Sequence, residues 1–291
     1  MTDASRSTEV LRYTAFSTDP GGGNPAGVVL DARGLSDEDM LGIAAEVGYS
    51  ETAFLMPSSS AERRFDVRYF SPQAEVPFCG HATVASAIAL AERSGPGELE
   101  FRTPAGTVPV TVAEGSDGSL RATLTSVEPR VEDVADADVR EALAALGWAG
   151  DELDAALPPR IAFAGARHLV LAAGTRERLA ELEYDFDRLA AFMRRLDLTT
   201  VQLVWRASET VFHVRDPFPV GGVVEDPATG AAAAAFGAYA REVGLVPREA
   251  VLTLHQGEDM GRPGVLTVEL RGKDPRVRVS GAGARIPGTA E

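Results

Sequence analysis

The sequence is short of lysine, and this shortage excludes two classes of enzyme. Lys273 is the only lysine among 28 basic residues, and it lies in RGKDPRVRV, a charged segment typical of a surface turn. A pyridoxal-phosphate enzyme needs a Schiff-base lysine, so that chemistry is not expected. A Walker phosphate loop is excluded because no GxxxxGK(S/T) motif can be written, and no GxGxxG motif follows a strand, so nucleotide-binding folds lack support.

Cysteine is equally scarce. Cys79 is the only one, so no internal disulfide can form, and no Cys/His spacing typical of zinc is present. Cys79 could be a catalytic thiolate at a helix N-terminus. Racemases of the two-thiol kind need an opposed pair of cysteines, however, which favours a small buried residue in a loop. We expect neither a metal nor a cofactor.

Long apolar runs and positive charge are also lacking. The start, MTDASRSTEV, has no apolar core, and no run long enough to cross a bilayer occurs, so we expect no signal peptide or membrane span and a cytoplasmic location. Asp and Glu number 43 against 28 Lys and Arg, a formal net charge of −15. Because such a chain repels a DNA duplex or an anionic lipid surface, neither nucleic acid nor a membrane is expected as a partner.

The length and patterning indicate two globular domains. The chain has 291 residues, of which 45% are apolar and 24% charged. Short runs of β-branched and aromatic residues, such as RFDVRYF, alternate with turn residues. One early helix is predicted to begin after Ser36, which can cap it, and to end at Gly48. The polar stretch 126–138 is the predicted linker, so we predict domains at 1–125 and 126–291, with the last strand able to return to the first domain.

Two segments, one in each half, resemble one another. Residues 77–90 read PFCGHATVASAIAL, and residues 227–240 read PATGAAAAAFGAYA. Both begin with P-x-x-G and continue as small residues without the polar face that a surface helix needs. The pattern predicts an α+β fold of two similar domains, each a barrel-like mixed sheet curled around one central helix. Chance alignment of alanine-rich stretches is the alternative.

The start of each such helix is a candidate anion site. First-turn N–H groups lack internal partners, and a glycine there lets a ligand approach the backbone. Two such starts facing one another across a cleft would hold a small acid. His81 lies in the first turn of one helix, while Asp226 and Thr229 precede the other. Taken singly, a buried histidine and an N-cap aspartate are the commoner roles of these residues.

Glu51 is the candidate acid/base. It opens the apolar run ETAFLM. A glutamate that enters an apolar strand can have its proton affinity raised by desolvation, as a general acid/base near neutral pH requires. A strand-edge residue that faces water is the alternative.

Two turn-rich segments and two histidines complete the candidates. Asn24 lies in the turn signal of GGGNPAGVVL, and HQGEDMGRPG offers Gln256 as a donor and Arg262 as a cation. His168 and His213 lie within apolar strand-like runs, so we interpret both as structural.

Taken together, these segments resemble the phenazine-biosynthesis PhzF-like isomerase family. Five blocks carry the resemblance in order along nearly the whole chain: GGNPAGVVL (22–30), SETAFL (50–55), RYFSPQAEVPFCGHAT (68–83), EDPATGAA (225–232) and HQGEDMGRPG (255–264). The resemblance implies the diaminopimelate-epimerase-like fold of two similar domains with the site between them. It also implies a cofactor-independent isomerase that is usually a homodimer.

The resemblance assigns roles to particular residues. Glu51 in SETAFL matches the family's proton-shuttling glutamate, and His81 and Asp226 match residues that bind and orient the substrate. The predicted substrate-binding positions are Asn24, Gly80, Thr229, Gly230 and Ala231. Ala231 departs from the family, which usually has a serine there, so that hydroxyl contact is missing and the phenazine-pathway substrate is in doubt more than the chemistry.

The predicted reaction moves a proton on a small unsaturated or amino/hydroxy carboxylic acid. Glu51 removes the proton from one carbon and returns it at another on the same face. Inversion at one carbon would need a second group on the opposite face, for which Asp226 is the candidate, so a racemase or epimerase is the alternative enzyme. A small-acid binding protein without turnover is the alternative outside enzymes.

Overall fold

The computed structural model describes residues 8–59 and 62–288, and within them the chain forms seventeen strands and six α-helices. The first seven residues of the polar start lie outside this range. The strands are β1 Leu11–Ala15, β2 Asn24–Val29, β3 Thr52–Pro57, β4 Arg64–Phe70, β5 Glu75–Val76, β6 Gly97–Thr103, β7 Gly106–Glu114, β8 Leu120–Thr125, β9 Arg130–Asp133, β10 Arg160–Phe163, β11 Arg167–Ala172, β12 Thr200–Arg206, β13 Val211–Pro217, β14 Glu225–Asp226, β15 Ala250–Gln256, β16 Gly264–Arg271 and β17 Asp274–Arg285. The helices are α1 Asp37–Val47, α2 Gly80–Ser94, α3 Asp136–Leu146, α4 Arg176–Ala180, α5 Phe186–Arg195 and α6 Gly230–Glu242.

The elements group into two compact units. The first runs through Leu124 and takes up the chain again from Gly281, and the second is Thr125–Ser280. The end of β17, residues 281–285, therefore belongs to the first unit. The domain boundary after residue 125 stays a prediction, since compactness alone does not show that either unit folds by itself.

The first unit is a closed sheet around one helix. Its strands pair in the order β8-β7-β6-β4-β3-β2-β1-β17, and β17 also pairs with β8, which closes an eight-stranded barrel. The pairs β2–β3 and β4–β6 are parallel, and the other neighbouring pairs with a defined register are antiparallel. Helix α2 packs against β1, β2, β3 and β7. A helix in this position must be apolar on every side.

The composition of α2 satisfies that requirement. All residues from 81 to 91 are buried, and most are alanine or other small side chains. Its two buried hydroxyls remain inside because each donates to a backbone carbonyl one turn back: Thr83 to Cys79 and Ser86 to Ala82, both over 2.7 Å. The prediction of a central helix from the alanine-rich pattern is confirmed.

The second unit repeats this arrangement. Its pairs β10–β11, β12–β13, β15–β16 and β16–β17 are antiparallel, while β11–β12 and β13–β15 are parallel, the same series as in the first unit. Helix α6 packs against β9, β10, β11 and β16. A Cβ at Gly237 would lie 2.6 Å from Val268, so only glycine permits this closeness. The predicted α+β fold of two similar sheets, each with a central helix, is confirmed.

The ends of α1 were predicted correctly from local sequence signals, whereas the linker was not. The Ser36 side chain accepts from the Asp39 amide at the start of α1, and Gly48 ends the helix with φ of 71°. The predicted linker 126–138 is wrong in part, because it contains β9, which pairs with β10, and the first residues of α3. Its side chains are mostly exposed, which is why the segment shows no apolar period. Among the described residues, no helix is long and apolar enough to cross a membrane.

A buried polar chain crosses the core of the second unit. Nδ1 of His168 lies 2.8 Å from Oγ1 of Thr200, whose hydroxyl donates to Oδ1 of Asp216 over 2.7 Å, so His168 is the donor in the first of these bonds. At most 1% of each residue is exposed. Burial lowers the pKa of His168 to about 3 and raises the pKa of Asp216 well above its usual value. His168 is therefore neutral near pH 7, and Asp216 keeps its proton to higher pH than an ordinary aspartate does.

The raised pKa of Asp216 makes the stability of the fold depend on pH. Unfolded aspartate loses its proton near pH 3.8, whereas the folded protein holds the proton to higher pH, so stability falls as pH rises through that interval. Asn has the shape of the protonated acid and does not titrate. We expect the free energy of unfolding of Asp216→Asn, relative to that of wild type, to increase with pH by at most about 1.4 kcal/mol per pH unit. Urea unfolding at several pH values between 5 and 8 measures this difference.

The control is Asp151→Asn, since Asp151 is an exposed aspartate of the same unit. Its stability relative to wild type should not change with pH. A stability difference between Asp216→Asn and wild type that stays constant from pH 5 to 8 would show instead that Asp216 is already ionised in the folded protein at pH 5.

Candidate active site

The backbone at Glu51 is fixed by close packing of two parallel strands. Glu51 directly precedes β3, and its carbonyl accepts from the Gly27 amide of β2 over 3.2 Å. A Cβ at Gly27 would lie 2.5 Å from Oγ1 of Thr52, so the glycine permits the approach of the two strands. The segment GGGNPAG therefore contributes to the position of Glu51 through its backbone.

The Glu51 carboxylate lies beside two side chains from the start of α2. Its Oε2 is 3.3 Å from Nε2 of His81, and the Cys79 thiol donates to the same oxygen over 3.6 Å. The Cys79 sulfur is also 3.4 Å from Nδ1 of His81, and the Ser50 hydroxyl is 3.4 Å from Nε2. The structure thus brings together Glu51 and His81, both predicted from sequence, and adds Cys79 and Ser50 to them.

The side chains of this cluster differ in their exposure to solvent. The side chain of Glu51 is 17% exposed and that of His81 is 8% exposed, so the carboxylate keeps contact with solvent while its partners are nearly enclosed. A carboxylate that touches an imidazole and a thiol can exchange a proton with a ligand and still have its charged form hydrogen-bonded. One ligand atom from each of Glu51, Cys79 and His81 could also meet at a metal ion, since these atoms lie within 4.8 Å of one another.

The N-terminus of α2 remains available to an anion. Cys79 occupies the N-cap position, and its side chain does not cap the helix. A Cβ at Gly80 would meet nothing within 4 Å, so packing inside the chain does not require glycine there. The space instead leaves the first-turn N–H groups open to a carboxylate or phosphate.

Asn24 takes a more internal position. It begins β2, pairs with Ala15 of β1, and is 1% exposed. Such burial suits a side chain that holds the turn in place. Its predicted role in substrate binding stays a prediction.

In the second unit, Asp226 and Thr229 form one hydrogen-bonded turn before α6. The Thr229 hydroxyl donates to Oδ2 of Asp226 over 2.5 Å, so it does not cap the helix. Gln256 fastens this turn: its Oε1 accepts from the Thr229 amide at 2.9 Å, and its Nε2 donates to the Asp226 carbonyl at 2.8 Å. Gln256 is 1% exposed, so its amide serves the turn rather than a ligand.

Two contacts of acidic residues near Asp226 could not be inferred from the sequence. Arg215 binds both carboxylate oxygens of Glu225 at 2.9 and 2.6 Å, with side chains 9% and 3% exposed, and so anchors the short strand β14. Asp216 is the register partner of Asp226 across β13 and β14. The sequence shows only the adjacent charged residues Arg215 and Asp216 in FHVRDPF. Their partners, Glu225 and Asp226, lie ten residues further along the chain.

The start of α6 carries the remaining predicted positions. Gly230 and Ala231 are its first two residues, and both are partly exposed. Because the Thr229 side chain is engaged elsewhere, the first-turn N–H groups of α6 have no side-chain cap. As in α2, this end of the helix suits an anion. Roles for Gly230 and Ala231 in binding stay predictions.

Besides Gln256, the segment HQGEDMGRPG makes a contact that was not predicted. The Glu258 carboxylate lies 2.5 Å from Nδ1 of His213, whose ring stacks on that of His255. His213 is thus a partly exposed member of a histidine–carboxylate pair. His168, by contrast, lies in the core, in agreement with its structural interpretation.

Comparison with known proteins identifies the family. A family model described as "Phenazine biosynthesis-like protein" matches residues 13–287. An uncharacterized isomerase of Bacillus subtilis is 32% identical and covers 97% of both chains. The trans-2,3-dihydro-3-hydroxyanthranilate isomerase of Pseudomonas aeruginosa is 32% identical and covers 93% of this chain and 94% of its own.

A solved structure agrees with these relatives. The PhzF-family phenazine biosynthesis protein of Bacillus anthracis has a TM-score of 0.85 at 27% identity, covering 96% of this chain and 98% of that chain. The diaminopimelate-epimerase-like fold class implied by the resemblance is therefore confirmed. On its sequence match, its relatives and its fold, the chain belongs to the phenazine biosynthesis-like, or PhzF, family of isomerases.

Proposed function

We propose that this isomerase works without a cofactor and moves a proton on a small unsaturated or amino/hydroxy carboxylic acid. The observation that carries the proposal is the contact of the partly exposed Glu51 carboxylate with Nε2 of His81, 3.3 Å away, at the start of α2. A carboxylate that can act as the base and an imidazole that can donate a hydrogen bond thus lie beside the first turn of α2, whose N–H groups have no side-chain cap, and this supports the proposal.

Glu51 is the group that carries the proton. Its carboxylate takes a proton from an activated carbon, and the pair of electrons left behind delocalises through the conjugated system toward the substrate carboxylate. The protonated Glu51 then returns the proton at another carbon of the same system, which restores the carboxylate. No atom is gained or lost, so one acid/base group suffices for the isomerisation.

His81 and Cys79 hold Glu51 in its orientation. Both reach the same carboxylate oxygen, Oε2, so the second oxygen is left for the substrate. Cys79 lies on the same side of the substrate as Glu51, because its sulfur is 3.6 Å from the carboxylate. It therefore does not serve as an opposed second base, and a two-thiol racemase mechanism is not proposed.

Asp226 binds and orients the substrate. It is 8% exposed, and its turn is fixed by Thr229 and Gln256, so its carboxylate is held in one direction. The uncapped start of α6 beside it supplies donors for a substrate carboxylate. Ala231 removes the hydroxyl that the family usually has at this point, which favours a substrate other than that of the phenazine pathway.

Replacement of Glu51 by glutamine tests the function. Glu51→Gln keeps the shape of the side chain and removes the base, so we expect turnover to fall by roughly 10²–10⁴-fold with little change in stability. The first substrate to assay is trans-2,3-dihydro-3-hydroxyanthranilate, for which a relative is named, followed by other conjugated hydroxy and amino acids. Product formation without added metal or cofactor is the measurement.

The control for this variant is Glu46→Gln, an exposed glutamate on α1 of the same unit. It should isomerise the substrate at the wild-type rate. Near wild-type turnover by Glu51→Gln on a confirmed substrate would show that another group is the base.

Asp226→Asn should affect binding as well as turnover. The amide keeps the size of the side chain but loses the charge that the Thr229 hydroxyl stabilises, and hydrogen bonds to charged groups are worth about 1.5–3 kcal/mol. We therefore expect kcat/KM to fall by roughly 10- to 100-fold, with KM raised. Steady-state kinetics measures both values; Asp187→Asn, at an exposed position on α5, should leave them unchanged. An unchanged KM in Asp226→Asn would contradict a role in binding.

We also propose that the protein is a homodimer. The large hydrophobic residues that stand exposed all belong to the second unit, among the described residues: Val127, Val223, Val224, Val251 and Val265. Their exposed fractions range from 39% to 60%. Burial of these exposed side chains against a second copy would favour association through the surface of that unit.

Light scattering at micromolar concentration measures the assembly. We expect a mass of twice the chain mass of 30.7 kDa. Val251→Asp, which places a charge on that surface, should shift the mass toward that of one chain. A wild-type mass of one chain at all concentrations up to the millimolar range would contradict the dimer.

A further inference from the structure

The cluster of Glu51, Cys79 and His81 has a chemistry beyond proton transfer. Each residue offers one ligand atom, and these atoms lie within 4.8 Å of one another. A carboxylate oxygen, a thiolate sulfur and an imidazole nitrogen are the three ligand types that zinc takes from proteins. No second group of this kind is found within residues 8–59 and 62–288.

The separations match those of ligands around one small cation. Nε2 of His81 is 3.3 Å from Oε2 of Glu51, and Sγ of Cys79 is 3.6 Å from that oxygen and 3.7 Å from that nitrogen. Zn–S bonds of about 2.3 Å and Zn–N and Zn–O bonds of about 2.0–2.1 Å, at tetrahedral angles, place the ligand atoms about 3.3–3.6 Å apart. Little movement of the ligand atoms is therefore needed for the three to share one ion.

The imidazole must turn to complete the coordination. Sγ lies at similar distances from Nδ1 and Nε2, 3.4 and 3.7 Å, so it is not on the lone-pair axis of either nitrogen. A rotation about χ2 of His81 directs a nitrogen lone pair at the ion while the backbone stays in place. The hydrogen bond to Ser50 involves only Nε2 and is long, at 3.4 Å, so it opposes this rotation weakly.

The surroundings suit an ion with one open position. Cys79 is 7% exposed and lies at the N-cap of α2, where the helix dipole favours a thiolate. The Glu51 side chain is 17% exposed, so solvent reaches the cluster and can supply a water molecule as fourth ligand. Three protein ligands and one exchangeable position are the arrangement of accessible zinc sites rather than of closed structural ones.

We propose that Glu51, Cys79 and His81 bind a zinc ion, and that the bound ion switches the isomerase off. The second half rests on the proposed function: a carboxylate oxygen that is bound to the metal cannot accept the substrate proton, and the ion holds His81 and Cys79 away from their supporting contacts. The first half stands on the ligand set alone.

Cobalt(II) is the probe, because a cobalt–thiolate bond absorbs in the near ultraviolet and needs no substrate. The metal-free protein titrated with Co²⁺ should develop this band with one equivalent, and Zn²⁺ should displace it. Cys79→Ser should lack the band and bind about 100-fold more weakly, because loss of even an outer contact typically costs 10- to 100-fold. The band in Glu51→Gln should appear only at higher Co²⁺ concentration.

The matched control is His213→Asn. His213 also lies beside a carboxylate, 2.5 Å from Oε2 of Glu258, but no thiol is part of that pair. This variant should give the same titration as wild type. Circular dichroism and thermal unfolding show whether Cys79→Ser is folded, and Cys79→Ala serves as the second variant if it is not.

Two results would overturn the proposal. Absence of the band in wild type, or its persistence in folded Cys79→Ser, would show that the cluster is not the metal site. For the switch, one equivalent of Zn²⁺ should lower turnover at least tenfold and a chelator should restore it; full activity with zinc bound would contradict inhibition. If the chain proved to have no isomerase activity, the cobalt band would still appear, so failure of the proposed function is distinguished from failure of the metal site.

Discussion

Close packing of an alanine-rich helix inside a curved sheet is the interaction on which the rest of each unit depends. Small side chains on every face let strands approach α2 and α6 from several directions, and at Gly237 even a methyl group would collide with Val268. Because the helix is enclosed, its N-terminus is fixed. The groups attached to that end, Cys79 and His81 in the first unit and Thr229 in the second, are therefore held on an element that strands enclose.

Several features could be predicted from sequence because they are local. Burial of the whole of α2 follows from its lack of a polar face, and the ends of α1 follow from the capping residues Ser36 and Gly48. The similarity of the two units was visible in the repeated P-x-x-G start, since a duplicated fold must place its central helix after the same turn. Each of these signals lies within about fifteen residues.

Other features could not be predicted because they join distant residues. The contact between Glu51 and His81 depends on the parallel pairing of β2 and β3 and on the position of α2 against them. The pairing of Asp216 with Asp226 depends on a register across β13 and β14. Strand β9 could not be predicted for a related reason. It pairs with β10 and exposes most of its side chains, so its sequence shows neither alternation nor hydrophobicity.

Hydrogen exchange at the donor carbon shows whether the Glu51 carboxylate removes the proton from carbon. Substrate is incubated in deuterium oxide with wild type or with Glu51→Gln, and the NMR signal of the donor C–H is followed. This observes C–H cleavage alone, whether or not product is released. We expect the donor C–H signal to fade with wild type and to persist with Glu51→Gln. Equal fading with both proteins would contradict it.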